Sequence, residues 1–448
     1  MRWLAALSAA IALATPLPAV ELARGAVDQK IVCRDAPSQQ YALFLPAAYD
    51  GSRKWPIVYV MDARGHALAG MATFREAAAD SGVIVASSWN SASDGPMQPN
   101  VDALRSMWDD THERLSIDDR RVYAAGFSGT ARAAVTLASA APGAIAGVIA
   151  AGAGYPEGRS PAAGTPFVYF ATVGTRDFNY AELQELEGKL KSAGIAYRIE
   201  EFDGGHQWMP PALAKEALDW LALQSMKQGT AARDQGFIER AWRTDAARAA
   251  GLPPVEAERL WGEMTRDYAG LRDVSDAAAQ RNALAATKEY RRARSERDRA
   301  LREEADYLAS AQRILGSARS AGDAIRELQI ARLRERRDPA AARMLNALEV
   351  QTGFYLPREM MRERHDYRRA VFFLTIAGAI DPDDPQLAYA LARANALGGW
   401  RDPAIRSLER AVALGFHDAA RLETEEDLAS LRNDPAFLAI VAKMKKMK

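Results

Sequence analysis

The amino-acid sequence predicts an α/β protein, a mostly parallel sheet with helices on both faces, followed by an all-α helical-repeat region. Between residues 41 and 226, short apolar runs alternate with helical patterns, as expected for a parallel sheet that is covered on both sides. After residue 226 strand-like runs cease, and Ala, Arg, Glu and Leu dominate. The predicted elements of the first part are strands at 41–45, 57–61, 83–87, 121–125, 147–151, 167–172 and 197–202, and helices at 101–115, 131–140, 181–193 and 211–226.

The length of 448 residues exceeds that of one ordinary domain, and composition suggests where the chain divides. A short basic start, an apolar run at 4–14 and small residues near Ala19 are typical of a secretory signal peptide, with a buried N-terminal helix as the alternative. The apolar run is too short to span a bilayer, so no membrane span is expected in the mature chain. The predicted parts are a signal peptide at 1–19, an α/β domain at 20–226, a linker at 227–233, a helical region at 234–350 and helical repeats at 351–448. We therefore expect a periplasmic or secreted protein.

Composition excludes several classes of function. The chain has 58 basic and 58 acidic residues, and the Arg-rich stretches are interleaved with acidic residues, so nothing argues for a nucleic-acid partner. Its single cysteine, Cys33, cannot form an internal disulfide. No Gly-rich phosphate cradle, cysteine cluster or His-Glu-x-x-His helix is present, so neither a cofactor nor a metal is expected.

Residues 121–130 contain the motif around which the first domain is organised. A β-branched and aromatic run enters Gly126-Phe127-Ser128-Gly129, and a small-residue helical pattern follows. This pattern predicts a nucleophile elbow, a sharp turn between strand and helix on which Ser128 is strained and exposed. Thr130 occupies the position where the commonest form of the motif has a third glycine. A turn serine in a tight strand-helix crossing is the alternative interpretation.

The partners of a nucleophilic serine are expected in loops that follow later strands of the same sheet. The loop after the sixth predicted strand contains Asp177, and the loop after the seventh contains His206. Ser128, Asp177 and His206 thus follow the serine, acid, histidine order of an α/β-hydrolase, in which the histidine activates the hydroxyl and the carboxylate orients the imidazole.

Each partner has an alternative interpretation. His206 could be an exposed loop histidine. Asp177 could belong to an ordinary helix N-terminus capped by Asn179. Asp203 is the closest rival acid, although it lies only three residues before His206, which makes a triad geometry unfavourable.

An acyl-transfer site also needs donors for the oxyanion and a surface for substrate. The backbone N–H of Gly129 is one expected donor, and that of Ala63 or Arg64, in the loop after the second predicted strand, is the other; a plain connecting loop is the alternative. Trp208 and Trp89 are candidates for lining an apolar cleft, with ordinary packing as the alternative.

Residues 35–226 resemble secreted esterases related to polyhydroxybutyrate depolymerases and feruloyl esterases. The resemblance rests on the runs Leu45-Pro46, Tyr49-Asp50-Gly51, Ile117 to Ser128 and Gly204-Gly205-His206-Gln207-Trp208. It implies Ser128 as nucleophile, Asp177 as acid and His206 as base. The sequence departs from the family pattern at Thr130, and at 61–64, where many of these enzymes have a His-Gly pair.

The remainder of the chain is predicted to be helical. Residues 275–337 are charged, with apolar residues at helical spacing, and predict a long antiparallel helix pair, with a coiled-coil surface as the alternative. Apolar positions from Ala370 to Ala377 recur from Ala404 to Ala411, at the period of about 34 residues typical of tetratricopeptide repeats. The resemblance covers about residues 355–435 and implies a protein-docking surface or a structural cap; a generic helical bundle is the alternative.

These observations lead to two main hypotheses. The first is a secreted serine hydrolase that cleaves a small or polymeric carboxylic ester through an acyl-enzyme on Ser128, with the helical region binding a protein partner or shaping substrate access. The second is a non-catalytic interaction protein built on a degenerate hydrolase scaffold. Peptidase chemistry with the same three residues is a narrower alternative.

Overall fold

The computed structural model describes residues 22–446, and the predicted signal peptide at 1–19 lies outside this range. An eight-stranded sheet in the order β1-β2-β4-β3-β5-β6-β7-β8 forms the centre of the N-terminal half. Strands β3 to β8 are parallel to one another, and β1 and β2 pair antiparallel at one edge. The strands are Val27–Val32, Gln40–Phe44, Trp55–Met61, Ile84–Ser88, Ile117–Phe127, Gly147–Ala151, Val168–Gly174 and Tyr197–Phe202.

Five helices cover the two faces of this sheet. In chain order they are α1 Ala67–Ser81, α2 Gln98–Arg114, α3 Gly129–Ala140, α4 Tyr180–Ser192 and α5 Pro211–Lys227. Apolar side chains of α1 and α5 pack on one face, and those of α2, α3 and α4 pack on the other. The predicted fold class, an α/β-hydrolase sheet followed by an all-α region, is confirmed.

All seven predicted strands and four predicted helices are present, with ends shifted by a few residues, and two elements were missed. Strand β1 has the sequence Val-Asp-Gln-Lys-Ile-Val and lies at the sheet edge, where half-exposed polar residues obscure the apolar alternation. Helix α1 has the sequence Ala-Leu-Ala-Gly-Met-Ala-Thr-Phe-Arg-Glu-Ala-Ala-Ala-Asp-Ser and begins without a side-chain cap.

The rest of the described chain is helical. Its helices are α6 Gln235–Gly251, α7 Pro254–Asp267, α8 Ser275–Ala285, α9 Lys288–Ser317, α10 Ala321–Glu327, α11 Ile330–Glu335, α12 Pro339–Val350, α13 Leu356–Glu359, α14 Tyr367–Ile380, α15 Pro385–Leu397, α16 Arg401–Ala413, α17 Ala419–Thr424 and α18 Pro435–Lys446. Wider π-helical turns at Gln351–Tyr355 and Met360–Arg364 flank α13, and a 3₁₀ turn spans Glu426–Leu431. Every helix among residues 22–446 is too short or too polar to cross a bilayer.

The predicted long helix pair requires correction. One helix of 30 residues, α9, is present, but the chain that returns along it is divided into the shorter helices α10, α11 and α12. Arg336 and Asp338 bond to each other between α11 and α12, and Asp338 caps α12 through the N–H of Ala341. The break follows from Pro339, which favours the first turn of a new helix over the middle of a continuous one.

The repeat prediction is neither confirmed nor excluded. Helices α14 and α16 begin at Tyr367 and Arg401, which agrees with the expected spacing, and α15 supplies the second helix of the first unit. In the next unit the equivalent position holds the six-residue α17 and a 3₁₀ turn.

The helical region packs directly against the sheet. Strand β8 lies at the edge, and its Arg198 is buried against α6 and α7, where the guanidinium bonds to Asp245 at 3.0 Å and to Asp267 at 3.2 Å. A second contact joins Arg248 of α6 to Glu200 of β8. A buried cation of this kind is tolerated only with several carboxylate partners, so the two halves of the chain are docked in a defined orientation.

Candidate active site

The site is built at the carboxyl ends of the parallel strands. The loops after β3, β5, β7 and β8 all emerge at this edge, because these strands run in the same direction. They carry Ala63, Ser128, Asp177 and His206 respectively. The sheet therefore brings together residues that are up to 143 positions apart in sequence, counting from Ala63 to His206.

Ser128 lies on a strained turn. Its backbone has φ 57° and ψ −126°, a conformation that L-residues rarely adopt, and it stands between the last residue of β5 and the first of α3. A Cβ at Gly126 would lie 2.2 Å from the carbonyl oxygen of Thr130, so no larger residue fits there. A Cβ at Gly129 would lie 2.5 Å from that of Ser93. The two predicted small positions are thus required by close approach.

Thr130 is accommodated where the commonest motif has glycine. Its side chain is buried, and its hydroxyl accepts a hydrogen bond from Phe127 N–H at 3.0 Å and lies 2.6 Å from the carbonyl oxygen of Met61. The hydroxyl therefore ties the elbow to the end of β3, the strand that leads into the Ala63 loop.

The three predicted residues form one hydrogen-bonded chain. The Nε2 atom of His206 lies 2.8 Å from Ser128 Oγ, and its Nδ1 atom lies 3.0 Å from each carboxylate oxygen of Asp177. Asp177 is completely buried, whereas His206 remains partly open to solvent. A carboxylate that bonds one imidazole nitrogen directs the other toward the serine hydroxyl.

Neighbouring groups hold the imidazole in place. The ring of His206 packs between those of Phe127 and Phe178, with centroids 4.8 and 4.3 Å away. The Oδ1 atom of Asp177 also accepts a hydrogen bond of 2.9 Å from the backbone N–H of Asn179. The side chain of Asn179 bonds to the Gly152 carbonyl instead of capping α4.

Asp203, the alternative candidate for the acid, pairs with a residue other than His206. Asp203 is exposed and forms an ion pair with Arg176, on the solvent side of the loop. Among the described residues, Asp177 is the carboxylate that contacts His206.

The loop after β3 differs in detail from the prediction. The N–H of Arg64 donates to Asp62 Oδ1 at 2.8 Å, so this donor is already used. The N–H of Ala63 has no hydrogen-bond partner within residues 22–446, and the Ala63 carbonyl accepts from Ser93 at 2.9 Å, which braces the loop. Of the two predicted donors on this loop, Ala63 is available and Arg64 is not.

The tryptophans do not line the cleft. Trp208 packs against Phe74 and Phe127 and donates to Asp62 at 2.8 Å. Trp89 donates to the carbonyl of Gln29 at the antiparallel sheet edge. Both are structural here, so the prediction that they form the substrate surface requires correction.

The cleft beside Ser128 is bounded by both halves of the chain. It has a volume of about 1020 Å³. The side provided by the sheet domain includes Arg132, Tyr155 and Phe178. The opposite wall comes from α9, α12, α13, α14 and the turn at 351–355. Its members are Leu308, Ala311, Gln312, Leu315, Gly316, Ala347, Leu348, Val350, Gln351, Tyr355, Leu356, Arg369 and Phe373. No sequence signal identified these residues, because their place in the cleft depends on how the helices pack.

The contact that bridges the two walls is polar. Tyr355 donates from its hydroxyl to Asp94 Oδ1 at 3.2 Å, which links the helical wall to the loop after β4. Arg132, one turn after Ser128 on α3, is paired with Glu182 at 2.6 Å. No group of three or more histidine, cysteine or acidic side chains in the described part of the chain is arranged to hold a metal.

No family model matches the chain, and no curated protein matches it. Among solved structures, an S-formylglutathione hydrolase from Staphylococcus aureus is similar at 12% identity, covering 41% of this chain and 90% of that one, with a TM-score of 0.33. A ferulic acid esterase is similar at 15% identity over 44% of this chain and 96% of that one, with a TM-score of 0.35. An esterase from Pyrobaculum calidifontis gives 15% identity, 46% and 87% coverage and a TM-score of 0.36.

Proposed function

We propose that the chain is a serine hydrolase that cleaves a carboxylic ester through an acyl-enzyme on Ser128. The observation that carries the proposal is the continuous contact from Ser128 through His206 to the buried Asp177, built on a strained elbow. Strain at a serine has no structural purpose that a less strained residue could not serve, so it favours a catalytic role.

The reaction follows from this geometry. His206 Nε2 takes the proton of Ser128 Oγ as that oxygen attacks the ester carbonyl, while Asp177 accepts the Nδ1–H bond and stabilises the imidazolium. The N–H groups of Gly129 and Ala63 bind the oxyanion. The tetrahedral intermediate collapses, the C–O bond to the alcohol breaks, and His206 returns the proton to the leaving alkoxide. Water then attacks the acyl-enzyme with the same base, releasing the acid and Ser128.

Cys33, the single cysteine of the chain, is unsuited to the task. Cys33 is buried, and burial raises the pKa of its thiol to about 12. It is therefore protonated at neutral pH, and thiols react as thiolates. Ser128 remains the candidate nucleophile of the described residues.

The helical region serves as the second wall of the active site. Its apolar residues Leu308, Leu315 and Phe373 face the cleft that contains Ser128. A cleft of this size and character suits an ester with an extended apolar acyl or alcohol group. The same proposal includes export of the chain through the predicted signal peptide and binding of a protein partner by the predicted C-terminal repeats.

The alternatives make different predictions for the same preparation. A degenerate scaffold would keep the fold and lack turnover. A peptidase would cleave peptide bonds as well as esters, whereas an esterase would leave peptide bonds intact. The continuous contact from Ser128 through His206 to Asp177 favours an active enzyme over a decayed one.

The test is labelling of the purified protein with a fluorophosphonate probe, followed by turnover of p-nitrophenyl esters. Wild type should be labelled and should hydrolyse esters, whereas Ser128→Ala and His206→Ala should do neither. Ser139→Ala is the matched control, since Ser139 lies on α3 and bonds only to the carbonyl of Val135. A folded wild-type protein that is neither labelled nor active would refute the proposal, and efficient Ser128-dependent cleavage of peptide bonds would replace esterase with peptidase.

A further inference from the structure

The loop that carries Asp177 is held from two sides. The N–H of Thr175 donates to the carbonyl of Phe202 at 2.9 Å, and that of Arg176 donates to the carbonyl of Gly204 at 2.9 Å. Both acceptors belong to the segment that leads to His206. The backbone N–H groups of the loop that carries Asp177, which we call the acid loop, thus donate to the loop that carries His206, which we call the base loop.

The carbonyl side of the same two peptides is bonded to the helical region. Arg343 of α12 donates from Nη1 to the carbonyl of Thr175 at 2.9 Å, and Asn346 of α12 donates from Nδ2 to the carbonyl of Arg176 at 2.8 Å. The two donors lie three residues apart on one face of the helix, so they reach successive carbonyls.

Arg343 is itself fixed from several directions. Its side chain is buried, its Nε atom donates to Glu304 Oε2 of α9 at 2.7 Å, and its guanidinium lies 4.3 Å above the ring of Tyr180. Glu304 is also buried. A buried ion pair is costly to desolvate, and an additional acceptor for the remaining guanidinium protons makes it tolerable. Here that acceptor is the peptide of the acid loop.

We propose that Arg343 and Asn346 are positioning residues, through which the helical region sets the place of Asp177 relative to His206. This inference rests on the proposed serine-hydrolase function of the chain. Neither Arg343 nor Asn346 lines the cleft, so they act on the acid loop and not on the substrate. The two loops are closely packed, since a Cβ at Gly174 would lie 2.4 Å from the Gly205 carbonyl oxygen. A displacement of the acid loop would therefore also displace the base loop.

The consequence is that the helical region is a structural part of the catalytic centre as well as a wall of its cleft. The hydrogen bonds from Arg343 and Asn346 to the acid loop together form a clamp. Loss of this clamp should lower kcat, because the imidazole would be less well oriented in the transition state. It should leave KM within about twofold of wild type, because the substrate contacts remain. A displacement of reacting groups by about 1 Å typically costs up to about 100-fold in rate.

The experiment compares Arg343→Met and Asn346→Ala with wild type in fluorophosphonate labelling and ester hydrolysis. We expect kcat to fall by about 10- to 100-fold for Arg343→Met and by a smaller factor for Asn346→Ala, each with KM nearly unchanged. Arg292→Met is the control, since Arg292 lies on the exposed side of α9, where it pairs with Glu296 of the same helix. Its kcat should stay near that of wild type.

The outcomes separate the two proposals. A wild type that is neither labelled nor active refutes the hydrolase itself. An active wild type with folded Arg343→Met and Asn346→Ala variants that retain kcat refutes the clamp. If Arg343→Met does not fold, Asn346→Ala decides, because its partly exposed bond can be removed without unpairing Glu304. A rise in KM at constant kcat would assign both residues to substrate binding and overturn the positioning role.

Discussion

The indole Nε1 of Trp208 donates a hydrogen bond of 2.8 Å to Oδ2 of the buried Asp62. The other oxygen of Asp62 accepts the N–H groups of Arg64 and His66, at 2.8 and 3.1 Å. One carboxylate therefore shapes the loop that offers the Ala63 N–H, and one tryptophan joins that loop to the segment after His206. The loop that offers the Ala63 N–H and the segment that follows His206 are thus structurally coupled.

From this relationship we expect Trp208→Phe to lower kcat by about tenfold, corresponding to about 1.4 kcal/mol of transition-state stabilisation, with a smaller effect on KM. Phenylalanine keeps the ring but cannot donate to Asp62. Steady-state kinetics on a short ester measures the change. Trp261→Phe on α7 is the matched control, and equal kcat values for the two variants would contradict the coupling.

The hydroxyl of Thr130 gives a prediction about stability. Thr130→Val removes the acceptor for Phe127 N–H and the contact with the Met61 carbonyl, while the shape of the side chain is retained. Loss of a buried hydrogen-bonding group of this kind costs about 1–3 kcal/mol in the free energy of unfolding. Urea denaturation should show this loss for Thr130→Val and a smaller one for Thr130→Ser, which keeps the hydroxyl. Identical urea midpoints for wild type and Thr130→Val would contradict this prediction.

The helical wall should decide which esters enter. Ala347 lines the cleft on α12 and is half-buried, so Ala347→Phe fills space that an extended acyl chain would occupy. We expect kcat/KM for p-nitrophenyl decanoate to fall by about 10-fold or more relative to the acetate. The control is Ala309→Phe on the exposed side of α9. An unchanged ratio of decanoate to acetate turnover would show that the wall does not select the substrate.

The buried Glu263 gives a prediction about how the stability of the protein depends on pH. It is fully buried on α7, near Glu200, Arg259 and Arg198, and neither of its carboxylate oxygens has a hydrogen-bond partner among residues 22–446. Burial, with a contribution from Glu200, raises the pKa of its carboxyl from 4.5 to about 8. The folded state therefore binds a proton that the unfolded state releases above about pH 4.5.

The sign of the pH effect follows from linkage. Stability from the protonated Glu263 is fully present below about pH 4.5 and is lost as the pH rises through about 8. Glu263→Gln cannot ionise, so its melting temperature should fall less than that of wild type between pH 5 and 9, on the order of a few degrees. Glu289→Gln on the exposed face of α9 is the control. Parallel melting curves for wild type and Glu263→Gln across this range would show that Glu263 does not titrate there.

Much of the α/β part could be predicted because its signals are local. Buried parallel strands are short apolar runs, and the elbow requires small residues at Gly126 and Gly129 for reasons of close approach. The order Ser128, Asp177, His206 could also be read directly, because each residue follows a recognisable strand. The polar edge strand β1 was missed because its residues are half-exposed and do not alternate.

What could not be predicted depends on residues far apart in sequence. The choice of Ala63 over Arg64 as an available donor is decided by Asp62, and the role of Trp208 is decided by the same carboxylate. Whether the segment after α9 continues as one helix depends on Pro339 and the turns before it.

The sequence by itself determined the sheet, its elbow and the three residues at the ends of its strands, because these follow from periodicity and from turn chemistry within a few residues. Only the tertiary structure decided that α9, α12 and α14 wall the cleft and that Arg343 reaches the acid loop from 168 residues away. The physical reason is that the apolar face of a helix does not specify which surface of the protein it will pack against. That choice is made by the complementary packing and the buried ion pairs of the folded chain.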